Sequence, residues 1–113
     1  MTLQEIATRI GATVVLGAEH LDEEVEHAFA SDLMSDVLTL KDTPLLVTGL
    51  CNIQTIRTCD MANLQAVLFV RNKRPSDDMI ELAEDNDMVL LCSEYSMFKT
   101  CGLLWDMGIK PLY

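Results

Sequence analysis

This sequence predicts an α/β fold built on a parallel sheet, and two observations carry the prediction. Three apolar runs, "PLLVTG" from Pro44, "AVLFVR" from Ala66 and "MVLLCS" from Met88, recur at a spacing of 22 residues. Each run is continuous rather than alternating and rich in Val and Leu, the pattern of a strand covered on both faces in a parallel sheet. Each is also followed by a helix, and strand-helix-strand connections with short loops place successive strands parallel. Two-sided burial suits a compact sheet at least as well as a solenoid.

Taken from the N-terminus, Thr2 and Glu5 form a capping box ahead of a helix whose Leu3, Ile6, Ala7 and Ile10 share one face, and Gly11 closes it. "ATVVLG" reads as a strand, "AEHLDEE" as an exposed acidic turn and "VEHAFAS" as a second strand. "DLMSDVLTL" reads as a short helix with Leu33, Met34, Val37 and Leu38 inward. In the repeated half, Asn52, Ser76 and Ser96 are the N-caps, and Asn63, Asn86 and Gly108 are the expected left-handed stops. The helix after Ser76 turns Met79, Ile80 and Ala83 inward, with Asp77 and Asp78 against the positive end of its dipole. In the last helix, Met97, Phe98, Cys101, Leu104 and Trp105 follow the spacing of one buried face, while Leu103 and Met107 add apolar surface elsewhere.

A chain of 113 residues, half of them apolar, is enough for one domain, 1–113, with one real core. No apolar run approaches the ~18 residues of a membrane span, and "MTLQEIATRIG" is amphipathic and of mixed charge, unlike a signal peptide; a soluble, cytoplasmic protein is expected. The formal charge of -10 repels phosphate backbones and argues against nucleic acid. Cys51, Cys59, Cys92 and Cys101 lack the close pairing of zinc or redox motifs and are expected as free, packed thiols.

Ligands of open α/β sheets bind beyond the carboxyl ends of the strands, where helix starts present backbone N–H groups. Three loops meet that edge: Thr48 to Asn52, Arg71 to Pro75, and Ser93 to Ser96. The middle one holds Arg71, Lys73 and Arg74, three of the chain's eight basic residues. Such a cluster creates a local positive well for a phosphate in an acidic protein; the competing reading has the three exposed cations serve solubility alone or pair with Asp77 and Asp78. In "TGLCN", Gly49 permits close approach and Asn52 offers an amide, so Thr48, Gly49, Asn52, Arg71, Lys73, Arg74 and Ser93 are the candidate ligand residues. Ser31, Asp32 and Asp36 join them only if the first-half helix packs near that edge. His20 and His27 form no ligand or nucleophile-base pattern, and the five glycines form neither a P-loop nor a dinucleotide fingerprint. No catalytic residues, metal ligands or cofactor are therefore assigned. An enzyme of phosphoryl chemistry requires a metal-binding carboxylate pair near those loops, for which Asp32, Asp36 and Glu94 are the candidates.

Together, "ASDLMSDVL", "LLVTGLCNIQTIRTCDMANLQAVLFVRNKRP" and "LLCSEYSMFKTCGLLWDMGI" resemble the DRTGG domain family over nearly the whole chain. The literal Asp-Arg-Thr-Gly-Gly string is absent, and "TGLCN" stands at the corresponding Gly-centred corner. The resemblance implies a layered α/β/α domain with a mostly parallel, mixed sheet, like the N-terminal domain of HPr kinase and that of MurF. It also implies an accessory or regulatory role without a catalytic centre, and a protein partner from an electron-transfer or hydrogenase system. The leading expectation is a non-catalytic regulatory or assembly module, as a homodimer joined through surface Leu103, Met107, Leu112 or Tyr113. The alternative is a sensor of a nucleotide or phosphorylated metabolite at the carboxyl edge.

Overall fold

The computed structural model describes residues 1–113 and has three layers. Helix α1 (Leu3–Ile10) opens with the expected capping box: the Glu5 N–H donates to Thr2 Oγ1 at 3.1 Å and the Thr2 N–H to Glu5 Oε1 at 3.2 Å. Gly11 stops it at φ 67°, and the expected four residues are buried. The strands are β1 (Thr13–Leu16), β2 (His27–Ala30), β3 (Leu45–Thr48), β4 (Ala66–Phe69), β5 (Val89–Cys92) and β6 (Lys110–Pro111), in sheet order β1-β5-β4-β3-β2-β6. All neighbours are parallel except β1 on β5, so the sheet is mixed, with its antiparallel strand at one edge. The remaining helices are α2 (Met34–Val37), α3 (Ile53–Met61), α4 (Asp77–Asp85) and α5 (Met97–Asp106).

The apolar runs alternate between two cores. Leu46, Val67, Phe69, Leu90 and Cys92 face α2, α3 and α4, meeting Val37, Ile56, Cys59, Met79 and Ala83. Leu45, Val47, Leu68, Val89 and Leu91 face α1 and α5, meeting Ile6, Ile10 and Leu104. Continuous apolarity is thus the consequence of helices on both faces of a parallel sheet.

Five expectations need correction. Phe98 and Trp105 are not buried; they are 91% and 66% exposed. The inward face of α5 instead runs through Thr100 and Leu104, with Met97 and Cys101 half-buried beside them. Thr100 takes the inward place because its hydroxyl bonds the buried Ser93 hydroxyl at 3.2 Å, a partnership that a count of apolar spacing does not register. The helix expected over 32–40 contracts to α2, leaving Leu33 and Leu38 outward at 58% and 46% exposure. There Ser31 Oγ accepts the Leu33 N–H at 3.0 Å and Asp32 bonds elsewhere, so both side chains compete with an earlier helix start. Asn63 and Gly108 are left-handed as expected, but the second stop is Asp87 at φ 54°, one residue after Asn86 at φ -106°. Strand β6 is an addition that two residues, one of them Pro, do not announce. Leu103, Met107 and Leu112 are half-buried against the cores, and only Tyr113 stands out, edge-on to Phe29 at 6.0 Å.

All four cysteines are free thiols. Burial pushes Cys59 from its ordinary value of 9.0 up to about 12. Between those values the unfolded thiol sheds its proton and the folded one keeps it, so stability is fully present below pH 9 and is lost as pH rises toward 12. Each pH unit in that window costs about 1.4 kcal/mol from this one group. Chemical denaturation at pH 8 and pH 10 should show the loss, and Cys59→Val should reduce it to the share of the other raised thiols, Cys92 foremost; an equal loss in the variant would contradict the assignment.

Candidate functional site

The carboxyl ends of the parallel strands carry the candidate residues. After β2, β3 and β4 the chain turns to helices on the α2–α4 face, whereas after β5 it turns to α5 on the opposite face. Strands β4 and β5 are neighbours, so the two chain directions diverge between them. This is the switch point at which open sheets bind ligands.

The basic loop sits on that point. Arg71 and Asn72 are both left-handed, at φ 59° and 58°. The Arg71 N–H donates to the Tyr95 carbonyl at 2.6 Å and the Asn72 N–H to the Ser93 carbonyl at 2.9 Å. These bonds hold a conformation that costs about 1–2 kcal/mol for a side chain such as Arg71, and they tie the loop to the β5–α5 connection. The result is an exposed run of Arg71, Lys73 and Arg74 on a fixed backbone. No carboxylate lies within 4.0 Å of any of the three, and the expected pairing with Asp77 and Asp78 does not form. The N-terminal ammonium pairs with Glu24 at 2.7 Å, and His20 Nε2 lies 3.8 Å from Glu19 Oε1.

The positive charges of Lys73 and Arg74 are felt at the neighbouring strand ends. Burial pushes the Cys51 thiol up and Lys73 opposes the rise; burial pushes Cys92 up to about 11 and Arg74 opposes it. Since β4 lies between β3 and β5, the basic loop that follows it lies between the β3–α3 corner and the end of β5. Lys99, in the first turn of α5, places its ammonium 3.9 Å from the Tyr95 ring centroid. Sequence reading passed over this fourth cation, although Tyr95 and Lys99 stand at the i, i+4 spacing of a helix start.

The other candidates are committed to internal bonds. Asp32 reaches the corner as the condition on the first-half helix required: its Oδ1 accepts from the Thr48 hydroxyl and from the Gly49 N–H, each at 2.8 Å. A carboxylate of the chain thus occupies two donors of "TGLCN", the Thr48 hydroxyl and the Gly49 N–H. Asn52 caps α3 by accepting from the Thr55 N–H at 3.0 Å. Ser93 is 1% exposed and bonds Thr100 and the Tyr95 N–H. Ser31 caps the Leu33 N–H, and Asp36 and Glu94 are exposed with no carboxylate cluster around them. No group of three or more His, Cys, Asp or Glu side chains is placed to hold a metal ion. Of the seven candidates, the three cations and the NH2 group of the exposed Asn52 side-chain amide are those left free to meet a solute.

The principal cavities lie away from this edge. The most apolar, about 180 Å³, is a groove beside α5, lined by Ala28, Ala30, Val47, Leu104, Trp105 and Pro111 among others. Others follow the amino edge near Glu24, Thr43 and Asn63. A ligand at the basic loop would rest on an open edge. No helix is long and apolar enough to cross a membrane.

No family model matches the chain, and no curated protein matches it. Among solved structures it is similar to the CBS and DRTGG domains of the regulatory region of Clostridium perfringens pyrophosphatase, complexed with the activator diadenosine tetraphosphate. The TM-score is 0.72 at 14% identity, over 91% of this chain and 45% of that one. At that identity the likeness is one of fold: a layered α/β/α module of the DRTGG-like kind. The chain spans less than half the length of that neighbour.

Proposed function

We propose that this chain is a non-catalytic, one-domain regulatory module that binds a phosphorylated small molecule, by preference a nucleotide, at the basic loop between β4 and β5. The observation that carries the reading is the unpaired trio Arg71, Lys73 and Arg74 on a strained, pinned backbone at the switch point, in a chain with 18 acidic residues. Unpaired cations there form a local positive well and can bond phosphate oxygens with charge-assisted hydrogen bonds. The fold neighbour's complex with a dinucleoside tetraphosphate activator supports the ligand class. Four free thiols suit a reducing compartment, the cytoplasm.

A thermal-shift panel of nucleotides and other phosphorylated compounds at low salt tests the reading. Free ligand at a hundred times its dissociation constant stabilises by about 2.7 kcal/mol, which raises the unfolding temperature by several degrees. Arg71→Ser with Arg74→Ser should abolish the shift. A flat panel, or a shift unchanged in that variant, would remove the site. The second reading, an assembly module, is favoured by a different observation: the exposed aromatic side of α5.

A further inference from the structure

The outward side of α5 has two rims separated by Gly102. Phe98 and Trp105, seven residues apart, lie on one rim, and Lys99 and Asp106, also seven apart, lie on the other. Gly102 between them is exposed, and a Cβ there would meet nothing within 4 Å, so the centre of the face is a shallow notch. The apolar rim continues into the groove of about 180 Å³ beside Trp105, where the small Ala28 and Ala30 of β2 leave the sheet uncovered. Phe98 and Trp105 are 91% and 66% exposed. Such protrusions on a helix already anchored by its opposite side have no part in holding the monomer together.

We propose that this face is a homodimer interface, in which α5 packs antiparallel on α5 of a second copy across a two-fold axis at Gly102. The pattern is self-complementary in that arrangement. A two-fold perpendicular to the helices and lying in the interface brings each rim onto the same rim of the second copy with its direction reversed. Phe98 then lies opposite Trp105 of the second copy, and Lys99 lies opposite Asp106 of the second copy, each contact occurring twice. A parallel two-fold would exchange the rims, setting Lys99 against Phe98 and Asp106 against Trp105 of the second copy and leaving both charges without partners.

Area favours a second copy as the occupant, and the local charge of this face does not oppose it. An aromatic side chain buries roughly 150–250 Å², so the exposed parts of Phe98 and Trp105 supply about 300 Å² per copy. That is over a third of the ~800 Å² per partner of a standard interface, and the adjoining groove and the Gly102 notch extend it. Two chains of charge -10 repel each other at long range. Lys99, Lys110 and Asp106 leave this face without the acidic excess of the rest. The rim pairs set the register, and the aromatic pairs supply the affinity. Apart from Lys99, the inference shares no residue with the ligand site.

Trp105 is the only tryptophan of the chain, so its emission reads the interface directly. Sedimentation equilibrium over two orders of magnitude in concentration should show a monomer–dimer equilibrium, with Trp105 emission moving to the blue as the dimer forms. Phe98→Ala should weaken association about a hundredfold, as loss of a central aromatic anchor does. Lys99→Glu and Asp106→Lys should each weaken it, and the two together should restore it, because the swapped pair is again complementary. A monomer mass at every concentration would overturn the proposal. So would a dimer indifferent to Phe98→Ala, or single charge variants that the double variant does not rescue. These positions are exposed, and unchanged circular dichroism will confirm that the variants fold.

Discussion

Phe69→Ala should cost about 3–5 kcal/mol of stability, whereas Phe98→Ala should leave the monomer within about 0.5 kcal/mol of the parent. Phe69 is fully buried in β4, packed in the core shared with α3 and α4, and its removal leaves a cavity that a close-packed sheet cannot fill. Phe98 is exposed on α5, and its loss removes little that the monomer buries. Denaturant unfolding below the concentration of self-association separates the two. Comparable losses would mean that α5 is rotated from the orientation described, with Phe98 inward as simple periodicity suggests.

Gly17→Ala should be nearly as severe, at about 3 kcal/mol, because a left-handed backbone and an overpacked contact are combined at one position. Gly17 has φ 92° where the chain leaves β1. An added Cβ would lie 2.8 Å from Val89 Cγ2, 2.9 Å from the Met88 carbonyl oxygen and 2.9 Å from Val89 Cα. Two of those three atoms are backbone of or next to β5, so they cannot move aside without disturbing the sheet. Gly11 is the internal control: it is also left-handed, at φ 67°, but has open space where its Cβ would be. Gly11→Ala should therefore cost only about 1 kcal/mol, the conformational part alone. Equal shifts in unfolding temperature for the two variants would show that the close approach at Gly17 is not real.

Sequence patterns revealed the parts of the fold that depend on near neighbours. The capping box at Thr2 and Glu5, the caps at Asn52, Ser76 and Ser96, and the left-handed Asn63 and Gly108 are all local, and all form. The parallel strands were visible because two helical layers make each run apolar throughout. The inward face of α5 was not visible, since Thr100 is buried by virtue of its bond to Ser93 on another element. Likewise β6 is two residues whose identity as a strand comes from pairing with β2. At the site, the basic loop was plain from composition, because three cations in four positions stand out in an acidic chain. That Asp32 would fill the donors of Thr48 and Gly49 was beyond sequence reading: the contact spans sixteen residues and depends on where β2 ends beside β3.

The phosphate site at the basic loop is the central claim, and a nitrogen–proton correlation spectrum recorded during titration with diadenosine tetraphosphate tests it most directly. The largest shifts should fall on the amides of Arg71 to Arg74 and of Ser93 to Ser96, and should vanish in the Arg71→Ser, Arg74→Ser variant. An unchanged spectrum, or shifts gathered along the groove beside α5 instead, would contradict it.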